Sequence, residues 1–236
     1  MTESLVIDPR FCGPPTSGNG GYVCGVLAAH VGGEAEVRLK SPPPLSRSLQ
    51  IDRSTAGQAR LLDGDTVVAE ASATRLELDL PPNPGFPAAE QSAKGSIHLE
   101  DHNFPTCFVC GPDRAAGDGL RIFAGPVEGR AGEVAAPFVP DASLADANSG
   151  KVAPEFVWAA LDCPGFFAFG VPTNPVMLGT FSAKVVRCPA IDEQCTVVGW
   201  RIGEEGRKRF AGTVLYGDAG DVLAQASAVW IELKPQ

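Results

Sequence analysis

Residues 66–78, TVVAEASATRLEL, and residues 221–233, DVLAQASAVWIEL, alternate large apolar side chains with small or polar ones. A period of two predicts two long strands, each with one face in a core. Turn signals precede both, LDGD at 62–65 and GDAGD at 217–221, so each strand is expected to close a hairpin. Two other stretches lose the alternation: GGYVCGVLA at 20–28 and PEFVWAALD at 154–162 are apolar on nearly every side. Such a pattern predicts helices buried on most of their surface.

The two strands also match each other. Aligned from Val67 and Val222, seven of twelve positions are identical, including A-x-A-S-A and the closing Glu-Leu. Walking back, LKSP at 39–42 falls against VRCP at 186–189, each a strand ending at a proline. Further back the two helices align, with Tyr22 against Phe156, Val23 against Val157 and Leu27 against Leu161. A helix followed by three or four antiparallel strands, in the same order twice, predicts a duplicated domain. The expected boundaries are 1–80 for the first repeat, 81–105 for a linker and 106–236 for the second. PPNPGFPAAEQSAKG at 81–95 reads as a linker draped over the surface. Ahead of its helix the second half has the hairpin GLRIFAGPVEGRAGEVAAPFV, where the first has only SLVIDPRF. The first half is the trimmed copy.

One apolar helix wrapped by an antiparallel sheet is the hotdog arrangement. The predicted class is therefore α+β, a duplicated hotdog with two sheets joined edge to edge. Composition agrees with a globular chain: 236 residues, 44% apolar and 20% charged. A net charge of −9 argues against nucleic acid or an anionic membrane as the main partner. No run approaches the length of a membrane span, and the N-terminal stretch MTESLVIDPR lacks a basic leader. Seven cysteines without a secretory signal predict free thiols in a reducing cytoplasm.

Three stretches resemble the acyl-CoA thioesterase superfamily. SGNGGYVCGVLAA resembles the H-G-G-opened helix of those enzymes, with Asn19 where the family more often has His. CFVCGPDRAAGDGL at 107–120 resembles the C-x-x-C-G, Gly-Leu opening of the phenylacetate-pathway type, and PEFVWAALDCPG their helix ending in Leu-Asp. The two-repeat layout resembles the acyl-CoA thioesterase II type. The resemblance implies a thioester held between two hotdog units. The helix start of one unit gives backbone N–H groups to the thioester oxygen, and a carboxylate on the other activates water. The first half has Gly20 and Gly21 at its helix start but Ala28 where the acid belongs. The second has Asp162, but Pro154 and Glu155 at its helix start, a residue without an N–H and a charge that repels an oxyanion. The halves are complementary, so one working site is expected, with Asp162 as base and Gly20 and Gly21 as oxyanion donors. Asn19, Tyr22 and Phe166 are the candidate substrate contacts.

Other residues carry competing readings. Asp162 is the only charged residue between Phe156 and Val171, yet it could instead cap a short helix with Pro164 in its first turn. Thr180 matches, within one residue, a threonine of the thioesterase II type that helps hold water. That type also has a glutamine on its last strand. Ala228 takes its place here, and Gln225 lies an odd number of residues away, on the opposite face of the strand. His30 reads as a core or helix-end histidine, Cys163 as buried and inert, and GRKRF at 206–210 as a solvated hairpin end that could meet coenzyme A phosphates. His98, His102, Cys107 and Cys110 form H-x3-H and C-x2-C pairs, but only four residues separate them, so the segment reads as a structural loop and no metal is assigned.

The favoured function is hydrolysis of an acyl-CoA or acyl-carrier thioester, with no metal or redox cofactor. By analogy with hotdog units, which commonly pair, a dimer is expected. The alternatives are a non-catalytic acyl-CoA or lipid binder, an enoyl-CoA hydratase of the same fold, and an unrelated duplicated β-rich scaffold for protein contacts. The hydratase chemistry pairs an aspartate with a histidine a few residues on, whereas all three histidines precede Asp162.

Overall fold

The computed structural model describes residues 3–96, 99, 102–170 and 175–234. In chain order the elements are β1 (Glu3–Val6), α1 (Gly20–Ala28), β2 (Ala35–Leu39), β3 (Ser48–Asp52), β4 (Gln58–Asp63), β5 (Thr66–Ala73), α2 (Phe86–Lys94), β6 (Gly125–Pro126) and β7 (Glu133–Phe138). They continue with α3 (Pro154–Ala160), α4 (Cys163–Phe167), β8 (Val176–Val185), β9 (Cys195–Glu205), β10 (Lys208–Tyr216) and β11 (Val222–Glu232).

The strands form one sheet in the order β1-β3-β4-β5-β2-β8-β11-β10-β9-β7-β6. Its two halves meet where β2 pairs antiparallel with β8, Val37 opposite Phe181 and Arg38 opposite Thr180. The expected hairpins β4–β5 and β10–β11 are present. On either side of the β2–β8 junction the order runs outward in the same way, with the last strand of each half next to the junction strand. One local detail recurs. The Val68 carbonyl accepts both the Lys40 and Ser41 N–H groups, and the Leu223 carbonyl accepts those of Val186 and Arg187. Val68 and Leu223 are aligned in the sequence, so this detail sets Lys40, not Leu39, against Val186. The match of 39–42 with 186–189 is corrected by one residue.

Other expectations change in detail. β5 ends at Ala73, short of the predicted 78, because its partner β2 begins at Ala35, directly opposite. β11 has the longer β8 beside it and runs to Glu232. Within the segment expected to be a draped linker, α2 packs on β6, β7 and β9, with Ala89 fully buried. The helix predicted over 154–162 stops at Ala160 and resumes as α4. Pro164 has no N–H for the carbonyl of Ala160, four residues back, and its ring crowds that carbonyl, so the helix breaks at Leu161–Asp162.

α1 packs against β2, β4, β5, β8 and α3, while α4 lies over β7, β9 and β10. Val23, Cys24 and Leu27 of α1 join Val37, Leu49 and Leu61 of the sheet in a core that continues into the second half through Phe181, Val157 and Leu161. α1 and α3 touch along glycines. A Cβ on Gly21 would lie 2.6 Å from Asp162 Cβ, and one on Gly25 would lie 2.7 Å from Glu155 Cα. Position 21 therefore faces 162 and position 25 faces 155, so the helices run antiparallel. Among the described residues no helix is long and apolar enough to cross a membrane.

Candidate active site

The start of α1 and the break after α3 are brought together by that close approach. Asn19 caps α1: its Oδ1 accepts the Tyr22 N–H at 2.9 Å. Its Nδ2 donates to Asp162 Oδ2 at 2.9 Å, and the Gly21 N–H donates to the same oxygen at 2.9 Å. Asp162 is 2% exposed, and its Oδ1 takes no hydrogen bond among the described residues. Asp162 also occupies the residue before α4, but its side chain makes no capping bond there. The carboxylate is turned to α1 instead, and the helix-cap reading does not apply.

The break is held from behind. Leu161 O, released from the helix ladder, accepts the Thr213 hydroxyl of β10 at 2.8 Å. A Cβ on Gly199 of β9 would lie 2.3 Å from Pro164 O, so only glycine lets the sheet approach α4 so closely. Burial pushes the Asp162 carboxyl up to about 7, against the lowering effect of the Gly21 N–H and the Asn19 amide; negative charge at Cys107 raises it further. The positive end of α1 faces the same carboxylate.

Asp162 opens onto a cavity of about 400 Å³. Asn19 and Gly20 line it at the helix start; Phe166, Leu178 and Trp230 form apolar walls, with the Phe166 and Trp230 rings 5.3 Å apart. A Cβ on Gly20 would lie 2.8 Å from Leu178 Cδ2. The Gly20 N–H has no partner among the described residues, whereas the Gly21 N–H is taken by Asp162.

Asn19, Gly20, Phe166 and Asp162 thus lie around one cavity, with Gly21 bonded to its carboxylate. Two candidates lie elsewhere. Tyr22 is buried between Phe11, at 4.3 Å, and Phe156, at 5.8 Å, and is a core residue rather than a substrate contact. Thr180 is not part of the cavity wall. A register shift at Gly179 breaks the alternation of β8, so Leu178 faces the cavity and Phe181 the core, with Thr180 turned to the other side. His30 lies past the end of α1 beside Glu3 and Arg53, and Arg209 of the GRKRF hairpin is bound to Glu204 and Glu232.

Trp230 was not among the expected site residues. The sequence carries a signal for it, since Trp230 stands where the matching strand of the first half has Arg75. Cys107 and Cys110 line the cavity next to Cys163. His98 lies outside the described residues.

No protein-family model and no curated protein matches this chain. Solved structures do. A tesB protein from Mycobacterium avium subsp. paratuberculosis superposes with a TM-score of 0.64 at 12% identity, over 99% of this chain and 93% of the other. An acyl-CoA thioesterase II, TesB2, from Mycobacterium marinum gives 0.63 at 10% identity, over 100% and 94%. A protein of unknown function with a hot dog fold from Alicyclobacillus acidocaldarius gives 0.53 at 11%, over 100% and 94%. The chain has the hotdog fold. The similarity to the thioesterase II proteins extends over nearly its whole length, and at these identities it establishes the architecture.

Proposed function

We propose that this protein hydrolyses an acyl thioester of the coenzyme A class in the cavity at the start of α1, with Asp162 as general base. The observation that carries the reading is the division of labour within one carboxylate. Oδ2 is fixed by Asn19 and Gly21, while Oδ1 is buried without a partner among the described residues, in a residue that lines the cavity. A buried carboxylate oxygen without a donor costs stability, and a water molecule on it would be both satisfied and aligned. In the proposed reaction Asp162 takes a proton from that water as its oxygen attacks the thioester carbon. The negative charge moves to the carbonyl oxygen, toward the Gly20 N–H. Collapse of this intermediate expels the thiolate, which recovers the proton from Asp162, giving a carboxylic acid and a free thiol. Gly21 is reassigned from oxyanion donor to carboxylate holder, and Asn19 from substrate contact to the same task.

The reading includes a duplicated hotdog with repeats over 1–80 and 106–236. The recurrent strand order and the paired hydrogen bonds at Val68 and Leu223 support it. A single site follows from the chemistry of the two helix pairs. The α1 start faces Asp162, whereas the α3 start has Pro154 and Glu155, and the first half has Ala28 where the acid belongs. The walls made by Phe166, Leu178 and Trp230 suit an apolar acyl chain, and the cavity volume lies within the range of small-molecule sites.

The test is free-thiol release from short, aromatic and long acyl-CoAs by the wild type and Asp162→Asn. Turnover by the wild type with a loss of about 100-fold or more in the variant supports the assignment. Equal binding of acyl-CoA by both, without thiol release, makes the protein a binder.

A further inference from the structure

The loop before β6 brings two sulfurs to one side of a tight turn. In Cys107-Phe108-Val109-Cys110-Gly111, the two cysteines stand three residues apart across the turn. The Gly111 N–H donates to Cys107 O at 2.9 Å, and a Cβ at Gly111 would lie 2.5 Å from both Cys107 O and Pro105 O. Only glycine closes this turn. The loop is pinned on both sides, Phe108 N–H to Cys12 O at 2.7 Å and Ile122 N–H to Val109 O at 2.9 Å. The third sulfur comes from Cys163, the first residue of α4. It lies 4.0 Å from Cys107 Sγ, and the sulfurs of Cys107, Cys110 and Cys163 all fall within 4.8 Å of one another. All three cysteines are buried. His102 stands beside them. Its Nδ1 accepts the Phe104 N–H at 2.9 Å, so its proton resides on Nε2, which is 3.2 Å from Cys110 Sγ.

We propose that Cys107, Cys110 and Cys163 bind a thiophilic divalent metal ion of the zinc class, with His102 donating to the Cys110 sulfur. Zinc–sulfur bonds of about 2.3 Å in a tetrahedron place sulfurs roughly 3.8 Å apart, close to the separation found. A disulfide would require about 2.05 Å, half of it. The thiolate is the form of each cysteine that ligates. Binding exchanges the thiol protons for the ion and releases them to solvent. Three thiolates on a divalent ion leave a net charge of −1, which does not suit an ion that must polarise a carbonyl. Its task here is mechanical. It ties the 107–110 loop to the break after α3, where Asp162 is the residue before Cys163. The fourth position opens to the cavity, which all three cysteines line, and takes a water or a small ligand. The inference stands on the sulfur geometry and holds whether or not the cavity hydrolyses thioesters.

The experiment is a metal titration of the full chain, purified without a polyhistidine tag, kept reduced and stripped with a chelator. Zinc is added in competition with a chromophoric chelator, and cobalt(II) is added separately for its spectrum. The expected result is about one equivalent bound, thiolate-to-cobalt charge-transfer absorption, and a rise in melting temperature on zinc addition. Cys107→Ser and Cys163→Ser abolish the stoichiometric site, whereas Cys195→Ser, a buried cysteine of β9 outside the cluster, retains it. His102→Gln keeps the stoichiometry and weakens affinity by roughly 10-fold or more. A wild-type chain that shows no saturable zinc binding and no thiolate–cobalt absorption overturns the proposal, and so does unchanged binding in folded Cys107→Ser. The wild-type spectrum decides the matter even if the variants fail to fold.

Discussion

Gly21 lies in α1 and Asp162 in the break between α3 and α4, yet the Gly21 N–H donates to Asp162 Oδ2 at 2.9 Å, and a Cβ on Gly21 would lie 2.6 Å from Asp162 Cβ. The contact is geometric before it is chemical. A side chain at position 21 would meet Asp162 Cβ at 2.6 Å, in the break after α3, and Trp158 O at 2.9 Å, on α3 itself. Neither can swing aside without moving backbone.

Gly21→Ala therefore forces α1 and α3 apart and lengthens the bond that orients the carboxylate. Overpacking of this kind costs about 1–3 kcal/mol. Denaturant unfolding should show that loss, and thiol release should fall by a larger factor than the stability change accounts for. An alanine variant with unimpaired kcat/KM would mean that the close approach does not position the base.

Asp162→Asn separates function from stability. The wild-type carboxyl has its folded-state pKa raised from 3.8 to about 7 by burial. Below about pH 4 the folded and unfolded chains both hold the proton, and there is no penalty. Between about 4 and 7 the unfolded carboxyl ionises while the folded one stays protonated, so stability falls as pH rises. Above 7 the full penalty, on the order of 4 kcal/mol, applies. Asparagine does not titrate, but its amide group leaves an unpartnered donor in place of Oδ1, which offsets part of the gain. Metal-free Asp162→Asn should thus unfold at similar denaturant to the wild type near pH 4 and at higher denaturant at pH 8, while thiol release is lost. Wild-type kcat/KM should rise with pH through about 7, as a base that must be ionised requires.

Thr213 is a positioning residue rather than a catalytic one. Its hydroxyl holds Leu161 O at 2.8 Å and so fixes the break that presents Asp162. Thr213→Val keeps the shape and leaves a buried carbonyl without its donor, at a cost of about 1–3 kcal/mol. The expected signature is lower stability with kcat reduced more than KM is raised, and recovery of both in Thr213→Ser. Equal kcat for valine and threonine would remove the link between β10 and the base.

The parts of this arrangement that follow from local pattern were legible in the sequence. β5 and β11 declared themselves by alternation and by matching each other, and Asp162 by being a lone charge in an apolar stretch. What depended on packing was not. Gly20 and Gly21 read as oxyanion donors, whereas Gly21 and Gly25, four residues apart on one helix face, are what lets α3 approach. Thr180 was placed by its match, within one residue, to a threonine of the thioesterase II type, and the register shift at Gly179 turns it away from the cavity. Cys163 read as inert because its partners, Cys107 and Cys110, come from a distant loop that no local spacing connects to it. Tyr22 lay on the correct helix, but its neighbours Phe11 and Phe156 come from other segments and enclose it.

Asn19 performs two tasks with two atoms, and they can be separated. Oδ1 caps α1 through the Tyr22 N–H, while Nδ2 donates to Asp162. Serine is as good an N-cap as asparagine, but has no amide to offer the carboxylate. Asn19→Ser should leave stability within roughly 1 kcal/mol of the wild type. It removes a donor that favours the ionised carboxylate, so the rise of kcat/KM with pH should move to higher pH. Asn19→Asp keeps the cap as well, but it sets a second carboxylate against Asp162, and like charges disfavour joint ionisation. Its profile should shift further in the same direction. A pH–rate profile for the two variants and the wild type checks the order. Coincident profiles would mean that Asn19 serves only the helix, and the carboxylate would then depend on Gly21 alone.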